Sequence, residues 1–320
     1  MNQLSAIYSF SLIKKDFFTV GSGLSRPECV WYDTDGLWVS DNRGGVAHLK
    51  SDGTAELLGS GIKEPNGFCR LRDGSFLVGG LSDRTLHLIS PDGETRPFLN
   101  EINGESPGVV NHAWCDVKGR IWVSVMTRGE HWYSALNKKA PDGYIILIDE
   151  HGTRIAASGL DLTNEVKVSP DGNFLYAAES LARRIVRFPI GENNELGAKE
   201  FVGPDDLGPG NNPDGFTLDS EGNVWIALVA KNGIGVITAA GEYIELFTDI
   251  NESGLAGWIE GCEKMNATGE HLGDCAGSFL KLPTSLVFGG DDLRTVYVGS
   301  LLSPHLFAFR APIAGIRHHH

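Results

Sequence analysis

Six positions along the chain carry a side-chain oxygen in the same local setting: Glu28, Asn66, Asn111, Asn164, Asp214 and Thr284. Each stands eight residues ahead of a tight turn between two strand-like segments, and no gap is needed to align the six copies. Glu28 and Asp214 are carboxylates, and Asn164 lies between them in chain order. An oxygen-only donor set carrying two negative charges suits one hard divalent cation, Ca²⁺ first, with Mg²⁺, Mn²⁺, Zn²⁺ or Fe²⁺ as alternatives. Three protein ligands leave positions open for water and substrate, which a catalytic ion requires. A single Asn or Asp before a strand is an ordinary turn residue. Six in one register point to a shared ligand.

The elements that must position these oxygens are legible in the same repeat. Its fullest copy runs from Asn211 through Pro213-Asp214-Gly215-Phe216 to Gly222-Asn223-Val224-Trp225. Polar turn, strand, glycine turn, strand: the phrase recurs at irregular spacings of roughly 40 to 70 residues, as in a propeller. We therefore expect an all-β, six-bladed β-propeller occupying 1–317 as one domain, with the donors on a ring at one mouth of the channel. Strands A to D of the first blade are expected at about 28–33, 37–41, 46–50 and 54–59. The last blade lacks a fourth strand downstream, and the apolar stretch from Ile7 to Val20 is free to supply it and cover the open edge.

If strand A starts at the donor ring, the Asp-Gly hairpin turns lie on the far face and are structural. The loops beside the donors are then the B–C loops and the D–A connections. Two are long. The third-blade loop runs from Thr127 to Asp142 and carries Glu130 and His131 as substrate-binding candidates. The insertion at 251–282, between blades five and six, places Leu255, Trp258, Ile259, Cys262 and Met265 at helical spacing. It reads as a short helix walling or lidding the mouth. Lys231 faces the same mouth and reads first as a solvated lysine.

Composition narrows the class. The chain has 27 basic and 41 acidic residues, a net charge of −14, which argues against nucleic acid or an anionic membrane as partner. A small-molecule substrate and a monomer or weak homo-oligomer are expected. No apolar run approaches the ~18 residues needed to cross a bilayer. The opening Met1–Phe10 lacks the basic start and cleavage site of a secretion signal. Cys29, Cys69 and Cys115 fall within inner strands and read as buried thiols, so the expected compartment is the cytoplasm. Cys262, His271 and Cys275 have only a loosely metal-like spacing. The terminal His318-His319-His320 reads as the remnant of an expression tag.

Taken together, Pro27-Glu28-x-Val30-Trp31, Asn164 ahead of Val168-Ser169-Pro170-Asp171-Gly172, Asn212-Pro213-Asp214-Gly215 and Phe288-Gly289-Gly290 resemble the SMP-30/gluconolactonase/luciferin-regenerating-enzyme family. The resemblance spans nearly the whole chain. It implies a six-bladed propeller with one divalent ion in the channel, and a lactone-hydrolysing activity. It carries the metal-ligand role to Glu28, Asn164 and Asp214, a substrate contact to Asn111, and the catalytic role in activating water to Asp214. Val109 stands where similar sugar-lactone members often have Arg, and His112 where they often have Asp. By strand alternation His112 points away from Asn111 and reads first as a packed residue, with a substrate-facing role as the alternative.

The expectation is a metal-dependent carboxylic ester hydrolase that opens a lactone or other cyclic ester less hydroxylated than a sugar lactone. Two other classes remain open: a metal-dependent lyase or isomerase on the same scaffold, or a non-catalytic binding propeller. The sequence has no Gly-x-Ser-x-Gly elbow, Walker loop or His-Glu-x-x-His helix.

Overall fold

A computed structural model describes residues 6–317; Met1–Ser5 and the histidines at 318–320 lie outside the described residues. Six four-stranded antiparallel sheets surround a channel, five of them built in chain order from the axis outward. The first comprises Val30–Asp33, Gly36–Asp41, Gly45–Leu49 and Ala55–Leu58, close to the ranges the repeat predicts. The innermost strands of the others are Pro65–Arg70, Val110–Cys115, Thr163–Val168, Pro213–Leu218 and Pro283–Gly289. These strands alternate apolar residues into the seams between blades. Phe68, Trp122, Trp225 and Phe288 are among the largest side chains fully buried there.

The ring closes as the edge argument requires. Phe18–Val20 pairs antiparallel with Leu306–Arg310, Thr19 opposite Phe307, and becomes the outer strand of the sixth sheet. Only these three residues are strand. The preceding segment instead packs on blades five and six: Ile7 and Leu12 are buried there, and Phe17 contacts Phe247, Phe279 and Phe309.

The A–B turns are structural for a visible reason. The buried Asp219 carboxylate accepts the backbone N–H groups of Glu221 and Asn223 and the indole N–H of Trp225, at 2.9, 3.0 and 2.9 Å. Asp116 holds Lys118, Arg120 and Trp122 in the same way.

One backbone feature decides where the donors point. In the inner strands of blades two to six the register slips by one residue, between Pro65 and Phe68, Val110 and His112, Thr163 and Val166, Pro213 and Phe216, and Pro283 and Leu286. Each slip is a β-bulge, which breaks the strict in–out alternation and re-aims the side chains beside it.

The insertion contains two helices, α1 (Glu252–Glu263) and α2 (Gly269–Gly273). Asn251 caps α1 by accepting the Gly254 N–H and also donates to the Asp274 carbonyl. The buried Asn232 fastens the far end, accepting from the N–H groups of Gly277 and Leu282 and donating to the Cys275 carbonyl. The insertion is thus a fixed wall. None of the described helices is long and apolar enough to cross a membrane.

Candidate metal centre and its pocket

Glu28, Asn66, Asn111, Asn164 and Asp214 line one cavity of about 80 Å³ at the channel mouth. Thr284, the sixth aligned position, does not join them. Its hydroxyl donates to the Glu28 carbonyl at 2.6 Å and holds that residue's backbone in place.

Four of the five lining donors present a buried oxygen with no hydrogen-bond partner: Glu28 Oε2, Asn111 Oδ1, Asn164 Oδ1 and Asp214 Oδ1. Such atoms are rare in folded proteins, because an unmet buried acceptor costs about 1–3 kcal/mol. Four around one cavity make a buried site that an electropositive ligand would satisfy. The protonation behaviour agrees. Burial, opposed by Arg26 and reinforced by Glu165, pushes the Glu28 carboxyl up to about 8. Asp214 is raised well above the carboxylate range by burial, then by Glu28 and Glu165. Two like charges in one desolvated pocket cannot both ionise cheaply unless a cation joins them. Glu28, Asn164 and Asp214 therefore fit a hard divalent ion.

Arg26, two residues ahead of Glu28, also lines the cavity. Its guanidinium donates to Asn66 Oδ1 at 2.9 Å and to the Pro65 carbonyl at 3.1 Å. Its backbone is left-handed, at φ 51°. Sequence reading missed this side chain.

The walls are apolar. Leu81, Met126, Val229 and Leu301 each sit at the first position beyond the second strand of a blade, and all line the cavity. Each is pinned by a backbone hydrogen bond to the residue that precedes the inner strand, as Met126 N–H to Val109 carbonyl at 2.9 Å. Trp132, Leu162, Trp258 and Leu272 complete the enclosure. Trp258 donates its indole N–H to Asn212 Oδ1 at 2.9 Å, which seats α1 over the mouth. Val109 is fully buried in the cluster behind this wall and is not among the cavity-lining residues.

The third-blade loop contributes Trp132 instead of the expected Glu130 and His131. Those two are exposed outside the cavity, with His131 stacked on Tyr133, because a short 3-10 turn over Trp132–Asn137 directs the indole inward. Lys231 pairs with Glu245 at 3.0 Å and stays out of the cavity. His112 differs from the alternation argument: the bulge beside Asn111 lets it follow that residue into the channel, one step deeper. There it is buried and clusters with Cys29 and Glu165, and burial lowers its pKa to about 4. All five cysteines are free thiols, with Cys29, Cys69 and Cys275 buried.

Fold and mouth together define a six-bladed propeller with an oxygen-lined polar centre under an apolar vestibule. Residues 26–248 match the SMP-30/Gluconolactonase/LRE-like region, and the chain belongs to that family. Among its relatives is the 6-deoxy-6-sulfogluconolactonase of Pseudomonas putida, 24% identical over 245 residues, which are 75% of this chain and 67% of that one. A gluconolactonase from Xanthomonas campestris shares the fold at TM-score 0.70 and 17% identity, covering 97% of this chain and 94% of its own. The calcium-binding protein regucalcin from Agrobacterium tumefaciens does so at TM-score 0.64 and 17% identity, over 94% and 92% of the two chains.

Proposed function

We propose that this protein is a divalent-cation-dependent lactonase whose preferred substrate is a lactone bearing apolar substituents in place of most of a sugar lactone's hydroxyls. The observation that carries the reading is the set of four partnerless buried oxygens facing one cavity with a mostly hydrocarbon wall. Relatives that hydrolyse lactones support the reaction class, and the calcium-binding neighbour supports the kind of ion.

Glu28, Asn164 and Asp214 would hold the cation, Ca²⁺ being favoured by the all-oxygen donor set. Its chemistry there is that of a Lewis acid toward the ring carbonyl and the attacking water. Asp214 accepts the proton as water adds to the carbonyl carbon, its carboxylate kept ionised in this pocket by the bound positive charge. Asn111 donates its amide N–H to Met126 Sδ at 3.3 Å, which leaves the partnerless Oδ1 to orient a substrate hydroxyl or ring group. Arg26 adds a positive charge to the pocket lining, its guanidinium held by Asn66 Oδ1 and the Pro65 carbonyl. Leu81, Leu162, Val229, Trp258 and Leu272 exclude water from the rest of the substrate.

The test is a lactone panel assayed in ¹⁸O-water with metal-stripped and Ca²⁺- or Mn²⁺-reloaded protein. Ring opening with one solvent oxygen in the product is expected, faster for alkyl-substituted lactones than for gluconolactone. Asp214→Asn should lower kcat/KM by at least about 10²-fold, the scale of a general base. Ring opening without solvent oxygen would make the protein a lyase or isomerase, and a preference for gluconolactone would overturn the substrate assignment.

A further inference from the structure

Directly beneath the donor ring lies a second layer of chemistry. Cys29, His112 and Glu165 are each the residue after a first-layer donor, on blades one, three and four. All three are buried, and each offers one ligand atom within 4.8 Å of the other two. We propose that this layer is a second metal site, binding a borderline-soft divalent ion such as Zn²⁺ through Cys29 Sγ, a ring nitrogen of His112 and one oxygen of Glu165.

The donor set is what separates this site from the one above it. Sulfur, nitrogen and oxygen together select Zn²⁺ and its neighbours over Ca²⁺. Ligands about 2.0–2.3 Å from a tetrahedral ion stand roughly 3.5 Å apart, so contraction of at most about 1.3 Å completes the geometry. The Glu165 carboxylate is already oriented for it. Oε2 accepts from Lys167 Nζ at 2.7 Å and from the Phe216 N–H at 3.2 Å, which leaves Oε1 buried, with the Ser285 hydroxyl of the same layer as the competing partner for the carboxyl. His112 Nδ1 is buried without a partner. Outer-layer donors that fix one carboxylate oxygen and free the other are what metal sites use to aim their ligands.

Two glycines on the same layer make the room. A Cβ on Gly67 would lie 2.4 Å from the His112 ring, and one on Gly215 would lie 2.5 Å from the Glu165 carboxyl. In blade order the layer reads Cys29, Gly67, His112, Glu165, Gly215 and Ser285, so two of its six positions have no side chain to fill the space between the ligating groups. On the opposite face a separate cleft is lined by Trp31, Trp114, Lys167 and Thr217, each two residues along its strand from this layer. On binding, the ion replaces the Cys29 thiol proton, which passes to solvent. Cys29 and Glu165 then set two negative charges against the ion's two and the one of Lys167, which stays bonded to Glu165 Oε2 and the Phe216 carbonyl, so the layer carries one net positive charge beneath the carboxylates of Glu28 and Asp214.

The experiment titrates metal-stripped chain ending at Arg317 with Co²⁺, the terminal histidines being removed because imidazoles bind cobalt. Two equivalents per chain are expected, one of them bringing a near-ultraviolet thiolate-to-cobalt charge-transfer band. Asp214→Asn should lose the equivalent that lacks the band and keep the other. Cys29→Ser should lose the band, with His112→Gln weakening that equivalent at least 10-fold, and circular dichroism melts reporting that each variant is folded. Wild-type chain that takes up cobalt without the band overturns the proposal regardless of how the variants behave, and so does a band that survives Cys29→Ser. Failure at the upper site shows instead as a band-bearing single equivalent, so the two readings fall separately.

Discussion

At the scale of single residues, the burial of Glu28 has a consequence for stability. In the metal-free fold its carboxyl stays protonated up to about 8, whereas in the unfolded chain it ionises near 4.5. Between those values the unfolded chain binds fewer protons than the folded one. Stability contributed by Glu28 is therefore complete at low pH and declines as pH rises toward 8. Asp214, raised by the same burial, acts in the same direction. A divalent ion reverses this, because it pairs with the ionised forms and gains affinity as protons leave. The measurement is a series of melting curves from pH 5 to 8, with and without Ca²⁺, for wild type and Glu28→Gln. Metal-free wild type should lose stability relative to Glu28→Gln as pH rises, and the Ca²⁺ increment should be largest at pH 8 and nearly absent in the variant. Parallel pH curves for the two proteins would mean that Glu28 ionises freely in the fold.

At the scale of elements, α1 and α2 matter through the way they are fastened. Asn232, fully buried, makes three hydrogen bonds into the returning strand of the insertion. Asn232→Ala leaves the Gly277 and Leu282 N–H groups and the Cys275 carbonyl unmet, at a cost of about 3 kcal/mol or more. Limited proteolysis should then cut within 251–282 before any blade. KM for an alkyl lactone should rise, since Trp258 and Leu272 lose their fixed place over the cavity, while Ca²⁺ affinity stays near wild type. Cleavage elsewhere first would show that the insertion is held by its apolar contacts instead. The same elements show what the sequence could and could not reveal. Counting from a glycine turn found Glu28, Asn111, Asn164 and Asp214 because blade repeats preserve that distance. It could not find Leu81, Met126, Val229 and Leu301, although they too are equivalent, because apolar residues after a strand carry no mark that separates a pocket wall from a core. Nor could alternation place His112, since a bulge is one residue of slippage with no signature in composition.

At the scale of the whole molecule, blades that pack sheet against sheet are consecutive in sequence except the sixth and the first, where the ring closes. The three strand pairs at Phe18–Val20 are short, so the clasp depends on what precedes them. Ile7 is fully buried against blades five and six, and Phe17 meets Phe247, Phe279 and Phe309 at ring-centroid distances of 4.9, 5.5 and 5.3 Å. Ile7→Ala removes the buried part of an anchor and leaves a cavity, worth roughly 2–5 kcal/mol. For a chain of this size that corresponds to a fall in melting temperature of about 3–7 °C. Where the loss appears is the more telling outcome. Ile7, more than two hundred residues from blade six in sequence, touches neither the donor ring nor the vestibule. A clasp that holds the ring shut predicts one cooperative transition moved to lower temperature, with cation affinity unchanged just below it. If Ile7→Ala instead produces a separate early transition while the rest of the ring melts as before, blades one to five are stable as an open arc, and closure serves only to cover the edge of the sixth sheet.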